Sequence, residues 1–281
     1  MVTLDLVLVT HDSFNYIGNI RENISKLYLS YNHIYIVDDA SCQEFIDFLF
    51  CFVSTYPNVS LIKNPTCKGP GFCRNLGSSY SSADYLSFLD HDDLLTPFRG
   101  LMFDKFISSQ CPIFLHYSYT YKRNELAKRS LNHYKSNQRH SLIALLLFIF
   151  KTNIVTGSFV IDRSFFKSIG GYPQAFYSED YAFVIKVLCH SSKIFYWHSL
   201  PNQPILFIYS IPFTHSSLSG NHFRMRLGQI SNFFSLFRSI PLSKFLILIP
   251  AVLLSVSIKL TRVTSLSIAS IVIHKCKRLF H

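Results

Sequence analysis

Short apolar runs alternate with amphipathic segments along the first 90 residues. Residues 4–10 (LDLVLVT) are mostly apolar on both faces, which is typical of a strand covered by two layers. After a polar break, Ile17, Ile20, Ile24 and Leu27 recur at helical spacing. This pattern predicts an amphipathic helix that packs on the first strand.

The same alternation continues with five more segments. Strands are predicted at 34–37, 59–62 and 85–89, and helices at 45–52 and 72–81. A strand–helix alternation of this kind builds a parallel sheet with helices on both faces. In such sheets ligands bind outside the carboxyl ends of the strands, and the predicted strands here end in polar or acidic residues. We therefore expect the chemistry at that edge.

The pattern is less regular after residue 97. A basic, tyrosine-rich stretch at 116–140 precedes an apolar helix predicted at 142–150. A strand at 157–161, the turn Gly-Gly-Tyr-Pro at 170–173 and an amphipathic helix that starts near Ser178 follow. These elements extend the α/β pattern beyond the first 96 residues.

The last 56 residues, 226–281, change in character. Residues 245–258 are uncharged but contain Pro250, and residues 263–273 are apolar again. Each piece is shorter than the roughly 20 residues of a spanning helix. Apolar pieces edged by Lys and Arg favour helices that lie in an anionic membrane interface. A spanning segment and a helical cap on the core are the alternatives.

Composition and charge narrow the class of protein. With 49% hydrophobic and 15% charged residues, the chain is neither disordered nor collagen-like nor a coiled coil. Its net charge of +11 indicates an anionic partner: nucleotide phosphates, nucleic acid or a phospholipid layer. Seven scattered cysteines favour reduced thiols in the cytosol, and the N-terminus does not resemble a secretory signal.

The strongest candidate site is the acidic end of the strand at 85–89. Asp90, Asp92 and Asp93 fall within four positions, and carboxylates so close together stay ionised when a cation neutralises them. Mg²⁺ is usually held by one or two carboxylates together with substrate phosphates. A solvated acidic loop is the alternative explanation.

Other candidate residues are weaker when taken singly. Asp38 and Asp39 end the second strand, where a carboxylate can accept hydrogen bonds from a ribose or base, although a capping role is the simpler explanation. Arg74 follows a glycine-bearing loop that lacks the usual phosphate-binding spacings. Glu179 and Asp180 open a helix, where they complement the helix dipole or supply a general base.

Six segments in register resemble the inverting glycosyltransferases of family 2. They are VLVTHDSFNYI, IYIVDDAS, NPTCKGPGFCRNLGSS, YLSFLDHDDLLTP, GGYPQAFYSEDYAFVIKVL and THSSLS. The resemblance covers roughly residues 4–220. It implies the GT-A fold, a Rossmann-like, doubly wound mixed α/β sheet with helices on both faces. The departures are T-H-D in the first segment, Ala40 in place of a common glycine, and Cys73 in place of alanine.

The resemblance also implies a role for each matching residue. Four residues are expected to line the nucleotide pocket: Thr10, Asp38, Asp39 and Arg74. Asp90 and Asp92 would form the D-x-D element, with Asp92 on a divalent Mn²⁺ or Mg²⁺ and Asp90 on the ribose or a metal-bound water. Asp180 would be the catalytic base and Glu179 would face the acceptor. His215 would be a further metal ligand near the diphosphate.

The resulting prediction is a metal-dependent inverting transferase with two parts. Residues 1–225 would be the GT-A domain, with a nucleotide-binding half at 1–96 and an acceptor-binding half at 97–225, and residues 226–281 a membrane-associating tail. The expected partners are a nucleotide-sugar, by default a UDP-sugar, a glycan or lipid-linked glycan acceptor of surface-polysaccharide synthesis, and an anionic membrane, but no nucleic acid. The expected location is the inner face of the cytoplasmic membrane.

Two alternatives belong to other functional classes. A nucleotidyltransferase of related fold would place a basic, glycine-rich loop after the first strand, where this chain has His11-Asp12-Ser13. A non-catalytic membrane-associated or nucleic-acid-binding protein would use basic residues interleaved with aromatic ones, and residues 117–123 are the candidate stretch.

Overall fold

The computed structural model of the chain describes the sheet and the helices around it. The described residues are 2–95, 113–116, 119–121, 138–139, 142–151, 156–191, 193–197, 207–209 and 222–279. His215 and most of the basic, tyrosine-rich stretch lie outside them. The predictions made for those residues are therefore not addressed by the structure.

Two sheets are formed in the described part of the chain. Their strands are β1 (Leu4–Thr10), β2 (His33–Asp39), β3 (Val59–Asn64), β4 (Tyr85–Asp90), β5 (Leu94–Leu95), β6 (Ile113–His116), β7 (Tyr119–Tyr121), β8 (Gln138–Arg139), β9 (Phe159–Asp162), β10 (Lys193–Trp197) and β11 (Phe207–Tyr209). The main sheet has the order β3-β2-β1-β4-β9-β6-β10-β8, and the small sheet has the order β5-β11-β7.

The helices cover both faces of the main sheet. They are α1 (Ile17–Leu27), α2 (Gln43–Val53), α3 (Pro70–Tyr80), α4 (Leu142–Lys151), α5 (Arg163–Ser168), α6 (Glu179–His190), α7 (His222–Ser235) and α8 (Leu242–Leu279). Three short 3₁₀ turns lie at Phe14–Tyr16, Thr156–Ser158 and Leu236–Arg238.

The main sheet is mixed because two of its strands, β8 and β9, run against their neighbours. Strands β1 to β4 are parallel, whereas β9 pairs antiparallel with both β4 and β6. Strand β10 is again parallel to β6. Along the sheet, β2 and β3 lie on one side of β1 and β4 lies on the other. This change of direction in the strand order creates a ligand crevice at the carboxyl ends of the strands. The predicted mixed α/β sheet is confirmed.

Alternate residues of β1 belong to two separate apolar cores. Leu6 and Leu8 point to one face, where they join the core that includes residues of α1 and α2. Val7 and Val9 point to the opposite face and join the core formed with α4, α6 and α8. Because side chains alternate along a strand, an all-apolar strand requires this covering on both sides.

The C-terminal region differs from the prediction of two short apolar pieces. Helix α8 is continuous from Leu242 to Leu279 and contains Pro250. Lys259 and Arg262 interrupt the apolar run but do not end the helix, because Lys and Arg are good helix formers. Helix α7 spans the predicted boundary between residues 225 and 226.

One face of α8 belongs to the core of the domain. Phe245, Leu248, Val252 and Val256 are almost fully buried, and the first three join the α4–α6 core. The segment Leu242–Thr261 is also long and apolar enough, by length and composition, to cross a membrane, although a third of it (33%) is buried against the rest of the protein. The helical cap considered from the sequence is therefore present along this face.

Candidate active site

The register of the sheet aligns the polar ends of three strands. Thr10 of β1 pairs with Asp38 of β2, and Val9 of β1 pairs with Asp90 of β4. The carboxyl ends of these strands therefore form one edge, as the sequence predicts. The Oγ1 atom of Thr10 is buried there without a hydrogen-bond partner, so this edge contains a polar group that a ligand could satisfy.

Arg74 connects two of the predicted site residues, Asp90 and Glu179. One of its terminal nitrogens donates to Asp90 Oδ1 at 2.6 Å and the other donates to Glu179 Oε1 at 2.7 Å. Arg74 is 2% exposed. The guanidinium therefore holds the end of β4 and the start of α6 together, and both of its terminal nitrogens have acidic partners.

Tyr172 supports the guanidinium from its other side. The Arg74 Cζ atom lies 5.0 Å from the centre of the Tyr172 ring, and this ring is stacked on Phe183 of α6. Asn75 fixes the tyrosine's backbone, since it donates to Tyr172 O and accepts from Tyr172 N, both at 2.8 Å. The Gly-Gly-Tyr-Pro turn is thus the platform on which Arg74 rests.

Glu179 is a buried and Asp180 a half-buried carboxyl group in the first turn of α6. Burial raises the pKa of Glu179 to about 7, although Arg74 acts in the opposite direction. Burial also raises the pKa of Asp180, against the lowering effect of Arg74 and of the hydrogen bond from its own helix. The Oδ1 atom of Asp180 accepts from Tyr181 N at 2.7 Å. Both groups have pKa values shifted toward those of general bases that act near neutral pH.

Asp92 has the environment expected of a cation ligand. Burial and the neighbouring charge of Asp90 raise the pKa of Asp92 to about 7. Among the described residues no group of three His, Cys, Asp or Glu is gathered at one point. The chain could therefore contribute Asp92 and Asp90, and a metal would take its other ligands from phosphate and water. This donor set fits Mg²⁺ or Mn²⁺ bound together with a diphosphate.

Two asparagines of α1 hold the acidic segment in place, and the sequence analysis missed them. Asn19 Nδ2 donates to Asp92 O at 2.6 Å and Asn23 Nδ2 donates to Asp93 O at 2.8 Å. Asn23 Oδ1 also accepts from Leu95 N at 3.0 Å. The available signal was the spacing of four residues, which places both amides on the apolar face of α1.

Asp39 is engaged by the loop that precedes α3. Its carboxylate accepts from Asn64 Nδ2 and from the backbone nitrogens of Lys68 and Gly69 at 2.7–2.9 Å, and Cys67 Sγ lies 3.3 Å away. Burial alone would raise the pKa of Asp39, but these donors lower it below the ordinary value. Asp39 therefore shapes the loop beside the strand ends.

Asp38 closes the turn that follows β2. Its carboxylate accepts from Ser41 N at 2.9 Å and from the Ser41 hydroxyl. Between them, Ala40 adopts φ = +63°. This left-handed conformation suits glycine better than alanine, which gives a physical reason for the glycine expected at this position.

The structure thus gathers most of the predicted site. Arg74 contacts Asp90 and Glu179, with Asp180 and Asp92 near the same charges. The other three predicted residues, Thr10, Asp38 and Asp39, lie along the adjoining strand ends, while His215 is outside the described residues. Arg74 lies inside the protein rather than on an open pocket wall, and Glu179 faces Arg74.

Known structures share this architecture. The crystal structure of S. aureus TarS 1–349 superposes with a TM-score of 0.60 at 16% identity over 83% of this chain and 65% of that one. The same protein in complex with UDP-GlcNAc gives a TM-score of 0.65 at 14% identity over 85% of this chain and 67% of that one. The fold is therefore of the GT-A type.

Sequence comparison adds the family. The sequence profile described as "Glycosyltransferase like family 2" matches residues 5–203. An "Uncharacterized glycosyltransferase" of Haemophilus influenzae (strain ATCC 51907 / DSM 11121 / KW20 / Rd) is 34% identical over 74 residues, which span 26% of this chain and 30% of that protein. The chain covers less than two-thirds of that relative and of TarS 1–349. The chain belongs to glycosyltransferase-like family 2.

Proposed function

We propose that the protein is an inverting glycosyltransferase that moves a hexosyl or N-acetylhexosaminyl group from a nucleotide-sugar to a hydroxyl group. The observation that carries the proposal is the Arg74 bridge. The guanidinium contacts both Asp90, at the end of β4, and Glu179, at the start of α6. Because the chain belongs to family 2, the end of β4 is proposed as the diphosphate-binding element and the start of α6 as the source of the general base.

Asp180 is the proposed base. In a one-step displacement the acceptor hydroxyl must lose its proton as its oxygen attacks the anomeric carbon and the nucleoside diphosphate leaves. A carboxylate within hydrogen-bond reach of that hydroxyl accepts the proton. Burial raises the pKa of Asp180, which makes its carboxylate a stronger proton acceptor. Glu179 is buried and paired with Arg74, and it is therefore proposed to position the turn that carries Asp180.

Asp92 and Asp90 would hold a divalent metal on the donor diphosphate. When bound, the metal would neutralise negative charge on the leaving group as a Lewis acid. The protein's own contribution is to present the two carboxylates at a fixed position: Arg74 holds Asp90, and Asn19 holds the backbone at Asp92.

The proposed donor is a UDP-sugar. Solved complexes of the structural neighbour TarS contain UDP and UDP-GlcNAc, which supports this choice of nucleotide. Titration of the protein with UDP, GDP and dTDP, with and without Mn²⁺, would test it. We expect UDP to bind most tightly and only in the presence of the metal. Equal, metal-independent binding of all three would contradict both the nucleotide and the metal assignment.

The proposed acceptor is a glycan or lipid-linked glycan of surface-polysaccharide synthesis such as capsule, O-antigen or lipooligosaccharide. The proposed location is the inner face of the cytoplasmic membrane. Residues 181–281 contain eleven Lys and Arg and no Asp or Glu, so this part carries the whole net charge of +11. Such a charge distribution favours an anionic lipid surface.

The outer face of α8 supports the same location. Leu246, Ile247, Leu253, Leu254 and Ile258 are 38–55% exposed, although the opposite face of the helix is buried in the core. A helix that is apolar all round needs an apolar environment on its free side. A membrane interface would supply it without requiring the helix to leave the domain.

Vesicle binding tests this location with the intact chain, because removal of 226–281 would uncover the core. We expect the double substitution Leu253→Gln with Leu254→Gln to weaken sedimentation with phosphatidylglycerol vesicles. Ser257→Gln, which changes an exposed polar position on the same face, is the control. Equal sedimentation of all three proteins would contradict the assignment of this face.

A further inference from the structure

Two cations meet where helices α6, α7 and α8 come together. Arg226 of α7 donates to Gln229 Oε1 at 3.0 Å, and Lys259 of α8 donates to Ile149 O at 2.9 Å. Both acceptors are neutral. In the part of the chain that the structure describes, neither cation forms an ion pair, and residues 181–281 contain no acidic side chain.

The two cations repel one another and are partly withdrawn from water. Lys259 Nζ lies 5.6 Å from the centre of the Tyr181 ring. Burial, together with repulsion by Arg226, lowers the pKa of Lys259 to about 8. Burial also lowers the pKa of Arg226, against the effect of Tyr181. Two like charges that repel one another in a partly buried position are unfavourable unless an anion joins them.

Unused hydrogen-bond donors point to the same conclusion. The Nε atom of Arg226 and the hydroxyl of Tyr181 are buried and have no hydrogen-bond partner among the residues that the structure describes. Tyr181 as a whole is 3% exposed. Buried polar groups are normally satisfied by protein, water or a ligand. The cluster of Arg226, Lys259 and Tyr181, here called the cation cluster, thus has two unused donors and, within the described residues, no anionic partner for its two positive charges.

The surroundings indicate what kind of anion fits. Two residues adjacent in sequence to the cations are exposed and apolar: Leu227, which follows Arg226, is 50% exposed, and Ile258, which precedes Lys259, is 38% exposed. An anion attached to a hydrocarbon chain would place its charge on the cluster and its chain along this surface. Arg and Lys with a hydroxyl donor are typical ligands of phosphate oxygens.

We infer that the cation cluster is a binding site for the phosphate group of a lipid. Its Tyr181 directly follows Glu179 and Asp180 at the start of α6. The phosphate is that of a lipid-linked acceptor or of a membrane phospholipid, and both carry the same chemistry. The assignment to the acceptor rests on the proposed function. The phosphate site does not, because it follows from the unpaired cations and unused donors alone.

Calorimetric titration of the full chain with three soluble probes tests the site. The probes are dihexanoyl phosphatidic acid below its critical micelle concentration, inorganic phosphate, and hexanoic acid, which carries a carboxylate on a chain. We expect dihexanoyl phosphatidic acid to bind most tightly. We also expect Lys259→Met and Arg226→Gln each to weaken it by about tenfold or more, as for the loss of one charge-assisted hydrogen bond.

Lys244→Met is the matched control. Lys244 lies on the same helix and donates to a backbone carbonyl, that of Cys189, at 2.6 Å. This variant should bind dihexanoyl phosphatidic acid as the unchanged protein does. Lys259→Met should remain folded because Ser255 Oγ still donates to Ile149 O at 2.7 Å. Its melting temperature without ligand should equal or exceed that of the unchanged protein.

Three results would overturn the inference. Equal affinity of all variants for dihexanoyl phosphatidic acid would show that the cluster does not bind it. Tighter binding of inorganic phosphate or hexanoic acid would refute a lipid phosphate as the ligand. A large fall in the melting temperature of ligand-free Lys259→Met would make the lysine a structural residue. Because these titrations contain neither a nucleotide-sugar nor a sugar acceptor, their outcome is independent of the proposed transferase activity. If the site binds phosphate, two KM values distinguish its source: that of the intact acceptor and that of an acceptor without its lipid phosphate. A higher KM for the second indicates an acceptor site, and an equal KM indicates a phospholipid site.

Discussion

Arg74 and Glu179 form a buried ion pair, with the guanidinium 2.7 Å from the carboxylate, although 105 residues separate them in sequence. The same guanidinium holds Asp90 at 2.6 Å. The pair therefore links helix α3, which packs on strands β1 and β2, to helix α6, which carries the proposed base. The same guanidinium thus holds Asp90 and the start of α6 at a fixed separation.

Arg74→Met should destabilise the protein and abolish transfer. It would leave Glu179 buried without a partner, and removal of one member of a buried pair typically lowers the free energy of unfolding by about 3–5 kcal/mol. Arg74→Lys should give an intermediate loss, because an ammonium group cannot bridge both carboxylates as the guanidinium fork does. Urea unfolding of both variants checks this. A methionine variant as stable as the unchanged protein would show that the bridge contributes nothing.

Asp180→Asn should retain donor binding and lose transfer. Removal of a general base typically costs about 10²–10⁴-fold in rate, while the nucleotide contacts at the strand ends are untouched. The measurements are kcat with a glycan acceptor and the Kd for UDP with Mn²⁺. Asp47→Asn, an exposed change on helix α2, is the control. A kcat near that of the unchanged enzyme would exclude Asp180 as the base.

The strand ends could be predicted from the sequence because each is marked locally. Asp38 and Asp90 directly follow apolar runs, so the edge of the sheet to which they belong is fixed by the alternation of strands and helices. The resemblance to family 2 then added Asp180. The mixed sheet was predicted through that resemblance and is confirmed by the structure, whereas its strand order was not predicted.

The partners of these residues could not be predicted in the same way. The Arg74 bridge depends on how two distant helices pack, and no pattern within either helix encodes it. Asn19 and Asn23 lie on the buried face of α1, where polar residues look like interruptions of an apolar stripe. The sequence predicts two apolar pieces because Pro250, Lys259 and Arg262 interrupt the apolar run, whereas helix α8 continues through all three.

Asn23→Asp should loosen the acidic segment and weaken metal-dependent donor binding. Aspartate still accepts from Leu95 N but no longer donates to Asp93 O, so a buried carbonyl loses its partner at a cost of about 1–3 kcal/mol. Asn58→Asp is the matched control, because Asn58 likewise donates to backbone carbonyls, those of Tyr28 and Tyr31. Both variants should unfold at lower urea concentration. Only Asn23→Asp should raise the Kd for UDP with Mn²⁺, and an equal effect in Asn58→Asp would contradict a specific role.

Ala40→Gly should stabilise the protein by up to about 1 kcal/mol, because glycine removes the Cβ clash of the left-handed conformation. The greater flexibility of glycine in the unfolded chain offsets part of this gain. Ala40 has φ = +63° in the turn closed by Asp38. Ala182→Gly, in the interior of α6, is the opposite control and should destabilise by about 1 kcal/mol or more. Chemical unfolding of both variants is the measurement. A loss of stability in Ala40→Gly would show that the turn is not strained.

Asp39 should make the fold sensitive to acid. Its four donors hold the pKa below the ordinary value of 3.8 although burial acts to raise it. A carboxyl group whose pKa is lower in the folded than in the unfolded state stabilises the fold above the unfolded-state pKa, and this contribution is lost as the pH falls through the folded-state value. Asp39→Asn should therefore be less stable than the unchanged protein at pH 6, and the difference should shrink as the pH falls below 3.8. Urea unfolding at pH 6, 4 and 3 measures the difference, with Asp47→Asn as an exposed control that should show no such convergence. A stability difference that stays constant over this range would show that the ionised carboxylate does not hold the loop at 64–69.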